Sequence, residues 1–332
     1  TRNNMMMQFL SDILQVKIER PVNQESTAIG AAYLAGIFAG IYKDVADVEK
    51  LWKTDRIFEP KISIDHADQF YDGWKKTIER LIAMVDVKNS VSKEEWDVRV
   101  DLAAFYRTIP YFGWDDLIFT HISARVPGTE DHFLINPYGF LFDEITASNL
   151  VKVDINGKII SETNNPINPA GFIIHSAIHE ARSDAHCIVH LHSDDGVAVA
   201  SLKDGLLPLA QTGMLVRNQI AYHDYEGVAL LEDEKKRLVA DLGDKNLMIL
   251  RNHGTLAAGK NVADAFTYIY FLERACTYQV RAMAGKLELN NPSPEAIETT
   301  RQQGEATQGM AGALLWPAVR RKMEKLDPSF MN

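Results

Sequence analysis

Two histidines one residue apart, His190 and His192, close the apolar run Cys187-Ile188-Val189-His190-Leu191-His192, and a third, His253, follows in Leu250-Arg251-Asn252-His253-Gly254. Side chains alternate faces along a strand, so His190 and His192 point the same way if the run is extended. An imidazole from a second strand end completes three nitrogen donors and leaves one position open. That is the ligand pattern of a catalytic, zinc-type ion rather than of a closed structural one. On spacing alone the same residues also read as two strand histidines and a turn histidine with unrelated roles, because His-x-His is a short pattern. His175 and His179 stand four apart in a helical stretch and share a face. Such a pair binds metal in some helices and is packed or exposed in others. Tyr222-His223-Asp224-Tyr225 form a polar-aromatic cluster ahead of Gly227. They read either as a pocket wall, with Tyr222 and His223 as catalytic candidates, or as a strand-end turn held by side-chain hydrogen bonds. Arg251 and Asn252 either orient His253 or shape the turn that ends at Gly254.

The elements that must position these groups belong to a chain of 332 residues with 46% hydrophobic and 24% charged residues and a net charge of −10. These values predict a soluble globular protein of two domains. No basic block stands out, which argues against nucleic acid or an anionic membrane as the main partner. The longest apolar stretch, 28–42, is rich in Gly and Ala and short for a bilayer span, so it reads as a packed helix. Cys187 and Cys276 are the only cysteines, both in apolar settings. Two such thiols make no disulfide framework, and no signal-like segment opens the chain, so the cytoplasm is the expected location.

Periodicity predicts helices near 8–14, 27–40 and 65–84 and a short strand at 16–19 in a first piece. A second piece begins near residue 91. Its helices are expected at 92–108, opening on the capping-box spacing Ser92-Lys93-Glu94-Glu95, and at 171–182, 195–202, 232–242, 262–284 and 294–309. Strands are expected at 119–125, 132–136, 150–154, 158–161 (after the Asn156-Gly157 hairpin signal), 186–192, 210–216 and 248–251. Strands and helices mix without regular βαβ alternation, which predicts an α/β/α layering on a mainly antiparallel sheet.

Residues 1–84 resemble the C-terminal end of glycerol kinase, an FGGY-family kinase. The resemblance is carried by Asn3-Asn4-Met5-Met6-Met7-Gln8-Phe9, by Glu25-Ser26-Thr27-Ala28-Ile29-Gly30-Ala31-Ala32-Tyr33-Leu34-Ala35-Gly36 and by Tyr71-Asp72-Gly73-Trp74-Lys75-Lys76. It implies a partial actin-like ATPase fold. Asn3 falls where that family places a nucleotide-contacting asparagine. The preceding glycine turn, the glycerol pocket and the catalytic aspartate have no counterpart here. Phosphoryl transfer needs positioned phosphates, metal and base together, so the fragment could lend the chain a kinase name but no kinase activity is expected.

The second piece resembles the class II aldolase/adducin family, most of all the adducin head. The matching segments are Asn136-Pro137-Tyr138-Gly139, Ile145 to Asp154, Ala170-Gly171-Phe172 with His175-Ser176-Ala177-Ile178-His179, His190-Leu191-His192, Ile220 to Gly227 and Arg251-Asn252-His253-Gly254. The resemblance implies a class II aldolase domain at 85–290, after the kinase fragment at 1–84 and before a polar helical tail at 291–332. It also implies His190, His192 and His253 as ligands of a divalent metal, zinc being the expected ion, a small-molecule substrate, and a homo-oligomer, a tetramer by analogy. In such an oligomer Tyr222 and His223 would serve a neighbouring pocket.

The chain departs from the aldolases of this family where they act. Their glutamate, four residues before the helix histidine, is Gly171, and the serine pair ahead of it is Pro169-Ala170. Their Gly-Asn-x-Ser-x-Arg phosphate turn reads Thr120-His121-Ile122-Ser123-Ala124-Arg125, and Tyr138 replaces a small hydroxyl residue. With no carboxylate at 171, His175 becomes the expected base. Two readings follow: a metal-dependent lyase acting on a small hydroxy-carbonyl compound, and a non-catalytic adducin-like binding module.

Overall fold

In the computed structural model, residues 3–22, 26–228, 232–285, 288–307 and 309–332 are described. Two compact units divide the chain between Ala83 and Met84. The first comprises α1 (Asn4–Leu14), β1 (Ile18–Pro21), α2 (Ser26–Phe38), α3 (Val45–Glu49), β2 (Thr54–Phe58) and most of α4 (Ile64–Ser90). Asn3 caps α1 by accepting a hydrogen bond from the Met6 amide at 3.1 Å. β1 pairs antiparallel with β2, a strand not evident in the sequence pattern. Helix α4 runs to Ser90, beyond the predicted end at 84. No Gly or Pro interrupts the sequence between Trp74 and Ser90, so nothing local stops the helix.

The second unit opens with α5 (Lys93–Phe112), whose cap Ser92 accepts from the Glu95 amide at 3.1 Å, as the capping-box spacing predicts. It continues with β3 (His121–Arg125), β4 (His132–Ile135), β5 (Val151–Asp154), α6 (Pro169–Ala181), β6 (Cys187–Leu191) and α7 (Asp194–Ala200). Then come α8 (Gln211–Val216), β7 (Ile220–His223), α9 (Glu232–Leu242), β8 (Leu247–Leu250), β9 (Gly254–Gly259), α10 (Val262–Met283), α11 (Pro294–Ala306) and α12 (Met310–Leu326). The seven strands form one sheet in the order β5-β4-β3-β6-β9-β8-β7. Every pairing is antiparallel except β7 with β8.

The alternation of side chains along the central strands builds the three layers. Cys187, Val189 and Leu191 of β6 and Leu247 and Ile249 of β8 join Phe105 of α5, Phe266 and Ile269 of α10 and Trp316 of α12 in the larger core. Ile188, Met248 and Leu250 face the other way, onto Ile174 and Ile178 of α6 and Leu238 and Leu242 of α9. His190 belongs to the second parity, so it looks toward α6.

Three expectations change. The run 210–216 is helix α8, not a strand, because a short apolar run is ambiguous between the two. Residues 158–161 make only the isolated bridge Val153–Ile159. The expected polar tail at 291–332 is helical, but it packs into the second unit. Trp316, Met323 and Phe330 are buried, and the Arg107 guanidinium reaches the Asp327 carboxylate at 2.8 Å. Among the described residues, no helix is long and apolar enough to cross a membrane.

Candidate functional site at the three histidines

His190 lies on β6, His192 one residue past its end, and His253 in the turn between β8 and β9. Their side chains converge. His190 Nε2 stands 3.0 Å from His192 Nε2 and 3.3 Å from His253 Nε2. The three are the only His, Cys, Asp or Glu group among the described residues whose donor atoms could jointly hold an ion. The turn is built for this approach. Asn252 adopts a left-handed backbone (φ 57°), its amide donates to the Ala200 carbonyl at 3.1 Å, and the His253 amide closes on the Leu250 carbonyl at 3.0 Å. Gly254 is required by the same closeness, since a Cβ there would sit 2.2 Å from the Leu191 carbonyl oxygen.

Hydrogen bonds behind the rings fix where their protons are. His190 Nδ1 lies 2.9 Å from the Thr255 carbonyl oxygen, and His192 Nδ1 lies 2.9 Å from a carboxylate oxygen of Asp116. Both acceptors demand an N–H, so each neutral ring keeps its Nε2 lone pair for the space between them. Burial, reinforced by the neighbouring imidazoles, pushes His190 well below the usual histidine range and His253 down to about 4. His190 and His253 are therefore neutral near pH 7. Two neutral imidazoles with Nε2 atoms 3.0 Å apart would set lone pair against lone pair unless a cation lay between them. Three nitrogens held at roughly 2.0–2.1 Å by one tetrahedral ion would themselves be separated by roughly 3.3 Å. The donor set and its spacing thus fit a divalent ion of the zinc type.

A second row of polar groups runs from the triad along the α6 face of the sheet. His121 on β3 pairs directly opposite His190, and their ring centroids are 5.2 Å apart. Its imidazole occupies the space over Gly171, where a Cβ would lie 2.4 Å from His121 Cδ2 and 2.7 Å from its Nε2. Position 171 is glycine because a histidine ring fills its side-chain volume. His121 Nδ1 meets His175 Nε2 at 2.8 Å, His175 Nδ1 meets Ser123 Oγ at 2.5 Å, and Ser123 Oγ meets His179 Nε2 at 2.8 Å. His179 Nδ1 closes the row on the Ala185 carbonyl at 3.1 Å.

That carbonyl orders every proton in the row. His179 donates from Nδ1, so its Nε2 accepts the Ser123 hydroxyl. Ser123 Oγ in turn accepts from His175 Nδ1, and His175 Nε2 accepts from His121 Nδ1. His121 therefore presents a bare Nε2. Burial lowers the proton affinity of the whole row, driving His121 and His175 well below the ordinary range and His179 down to about 3.

The expected base, His175, is thus fully buried with both ring nitrogens engaged, one step behind His121. The α6 register was legible in the sequence. The importance of His121 was not, because strand pairing and the volume over Gly171 create it. Asp116 was missed because it reaches His192 from the loop after α5, 76 residues away in the sequence.

Tyr222 and His223 are occupied elsewhere within this chain. The Tyr222 hydroxyl accepts from the Leu206 amide at 3.0 Å, and the Arg251 guanidinium lies 4.7 Å over its ring. His223 is buried against α9, its Nδ1 2.7 Å from Asp241. Tyr225 is the member of that cluster nearest the triad, 6.5 Å from the His253 ring between centroids. Arg251 donates to the Leu202 and Lys203 carbonyls and so braces the turn rather than His253.

An α/β/α domain carrying three convergent histidines at the ends of inner strands of a mainly antiparallel sheet defines a class of proteins. The model of the class II aldolase and adducin N-terminal domain matches residues 100–280, and the chain belongs to that family. A provisionally named aldolase class 2 protein of Caulobacter vibrioides is 54% identical over 75% of this chain and 97% of its own length. Rat alpha-adducin is 42% identical over 70% of this chain, but only 33% of the adducin is covered.

Among solved structures, an aldolase II superfamily protein from Pseudomonas syringae superposes with a TM-score of 0.71 at 50% identity, covering 74% of this chain and 99% of that one. The L-fuculose 1-phosphate aldolase of Glaciozyma antarctica gives 0.64 at 28%, covering 72% and 93%. The C-terminal domain of the FGGY family of carbohydrate kinases matches residues 1–39, a shorter stretch than the 84 residues of the sequence resemblance.

Proposed function

We propose that the second unit is a divalent-metal-dependent, lyase-like enzyme acting on a small hydroxy-carbonyl substrate, with His190, His192 and His253 as the metal ligands. One observation carries the reading. Two imidazoles whose Nδ1 atoms face the Thr255 carbonyl and the Asp116 carboxylate bring their Nε2 atoms within 3.0 Å, with a third imidazole beside them. A bound ion, zinc by the preference of imidazole sets, would polarise a substrate oxygen as a Lewis acid. The chain's own groups do the rest. His121 offers its bare Nε2 beside the triad and takes the proton next to the substrate carbonyl. His175, Ser123 and His179 hold that tautomer in place, which makes them positioning residues. The altered residues Pro169, Ala170, Gly171 and Tyr138 support a substrate that does not depend on a phosphate group.

The protein is proposed to act in the cytoplasm as a homo-oligomer, a tetramer by analogy with the family. Residues 1–84 are read as a segment like the C-terminal end of glycerol kinase, and 85–332 as the working domain. The test is the metal content of the purified protein, followed by aldehyde release from a panel of hydroxy-ketones. Stoichiometric metal with turnover is expected. A metal-loaded protein inert across the panel would favour the non-catalytic module, for which the likeness to alpha-adducin speaks.

A further inference from the structure

Glu273, on α10, is fully buried, and its carboxylate takes hydrogen bonds not from the three histidines but from both segments that carry them. One oxygen accepts the hydroxyl of Ser193, the residue after His192, in a short hydrogen bond, and the other accepts the Thr255 hydroxyl at 2.5 Å. Thr255 follows His253 by two residues, and its carbonyl holds the His190 Nδ1 proton. Ser193 Oγ also receives the Gly196 amide at 3.1 Å, so the same hydroxyl fixes the start of α7. Among the described residues no cation pairs with Glu273. A carboxylate buried without one is costly, and burial raises its proton affinity to a pKa of about 7. An apolar side chain would fill this space without that penalty, but it would leave two buried hydroxyls without an acceptor.

We infer that Glu273 is a positioning residue for the metal triad, a two-armed clamp that registers the His190–His192 strand end against the His253 turn. The inference rests on the proposed metal reading. It specifies a geometric role, met by hydrogen-bond acceptance at two points. Glutamine can meet that role in part, since its carbonyl accepts from one hydroxyl while its amide donates to the other, whereas alanine cannot.

The experiment measures Zn2+ affinity of the metal-free full-length chain by competition with a chromophoric chelator, and the visible absorption of the Co2+ form. Glu273→Ala is expected to bind Zn2+ about 10–100-fold more weakly, as removal of supporting groups around metal ligands does. Its Co2+ spectrum should lose tetrahedral intensity, while Glu273→Gln stays close to wild type in both. Wild-type affinity and spectrum in folded Glu273→Ala would overturn the clamp, as would a Glu273→Gln variant as weak as the alanine one. If Glu273→Ala does not fold, Thr255→Val and Thr255→Ser decide: the valine is expected to weaken Zn2+ and the serine to preserve it, and equal affinities would overturn the clamp. A folded wild type that binds no Zn2+ would remove the metal reading itself and the clamp with it. Metal binding that is indifferent to position 273 would remove the clamp alone.

Discussion

At the scale of single residues, the proposed roles separate holding an ion from moving a proton, and each can be tested alone. His253→Ala removes one of three donors and should abolish stable metal binding, measured as zinc content after dialysis. His121→Ala leaves all three donors and should keep the metal while turnover falls by roughly 10²–10⁴-fold, the usual worth of a positioned proton acceptor. Retained turnover in His121→Ala would take that ring out of the chemistry. Gly171 supplies the complementary test. A methyl group at this position would lie 2.4–2.8 Å from three atoms of the His121 ring. Gly171→Ala should therefore push the imidazole out of its seat and destabilise the protein by about 1–3 kcal/mol, as overpacking does. The double variant Gly171→Ala with His121→Ala should recover most of that loss in urea unfolding. If the single variant proves as stable as wild type, the seat is not as tight as described.

At the scale of elements, α6 packs two histidines against β3 with no water-facing side. His179, pushed down to about 3 chiefly by burial, stays neutral in the folded protein, whereas in the unfolded chain it takes a proton below its ordinary value of 6.5. The unfolded state then binds more protons than the folded one between these values, so stability falls as pH falls through this window and is unaffected above it. Urea midpoints of the metal-free protein should drop from pH 7 toward pH 4, and His179→Gln should flatten part of that slope. An unchanged slope would show that α6 opens to water before protonation.

The elements also show what could be read in advance. Helices α5, α6, α9 and α10 follow from caps and apolar spacing, and His190 with His192 from strand parity. Strand β9, Gly-Thr-Leu-Ala-Ala-Gly, was invisible because its small residues answer to close approach by α10 and β6, not to strand propensity: a Cβ on Gly259 would sit 2.3 Å from the Ala265 amide nitrogen. The row from His121 to Ala185 is equally illegible, since it joins residues that only the packing of α6 against β3 brings together.

At the scale of the whole molecule, the chain divides into two compact units. The first has a two-stranded sheet and leaves large apolar side chains uncovered, Phe38 at 97% exposure being the extreme. Two paired strands alone are marginal in water, so this unit is expected to be the less stable. Because α4 continues across the boundary, a protease must melt its end locally, and Arg80 and Lys88 offer tryptic sites there. Limited trypsin digestion should yield a resistant fragment that begins between residues 81 and 92 and runs to the C-terminal region, as identified by mass spectrometry. Equal resistance of that helix end and the sheet core would contradict this ordering.

The placement of sulfur in the chain adds a further consequence. Cys187 lies on β6, three residues before His190, and Cys276 lies on α10, three residues after Glu273. Both are fully buried, and both belong to the second unit. The first unit contains no cysteine. A thiol reagent added to the native protein therefore keeps time for one half of the molecule only. Each modification event records a moment when the sheet or the helix behind it opened, whatever residues 1–83 are doing. An ion bridging β6 to the β8–β9 turn would slow that clock, and the ratio of labelling rates with and without Zn2+ would report how firmly the three histidines hold their strands together.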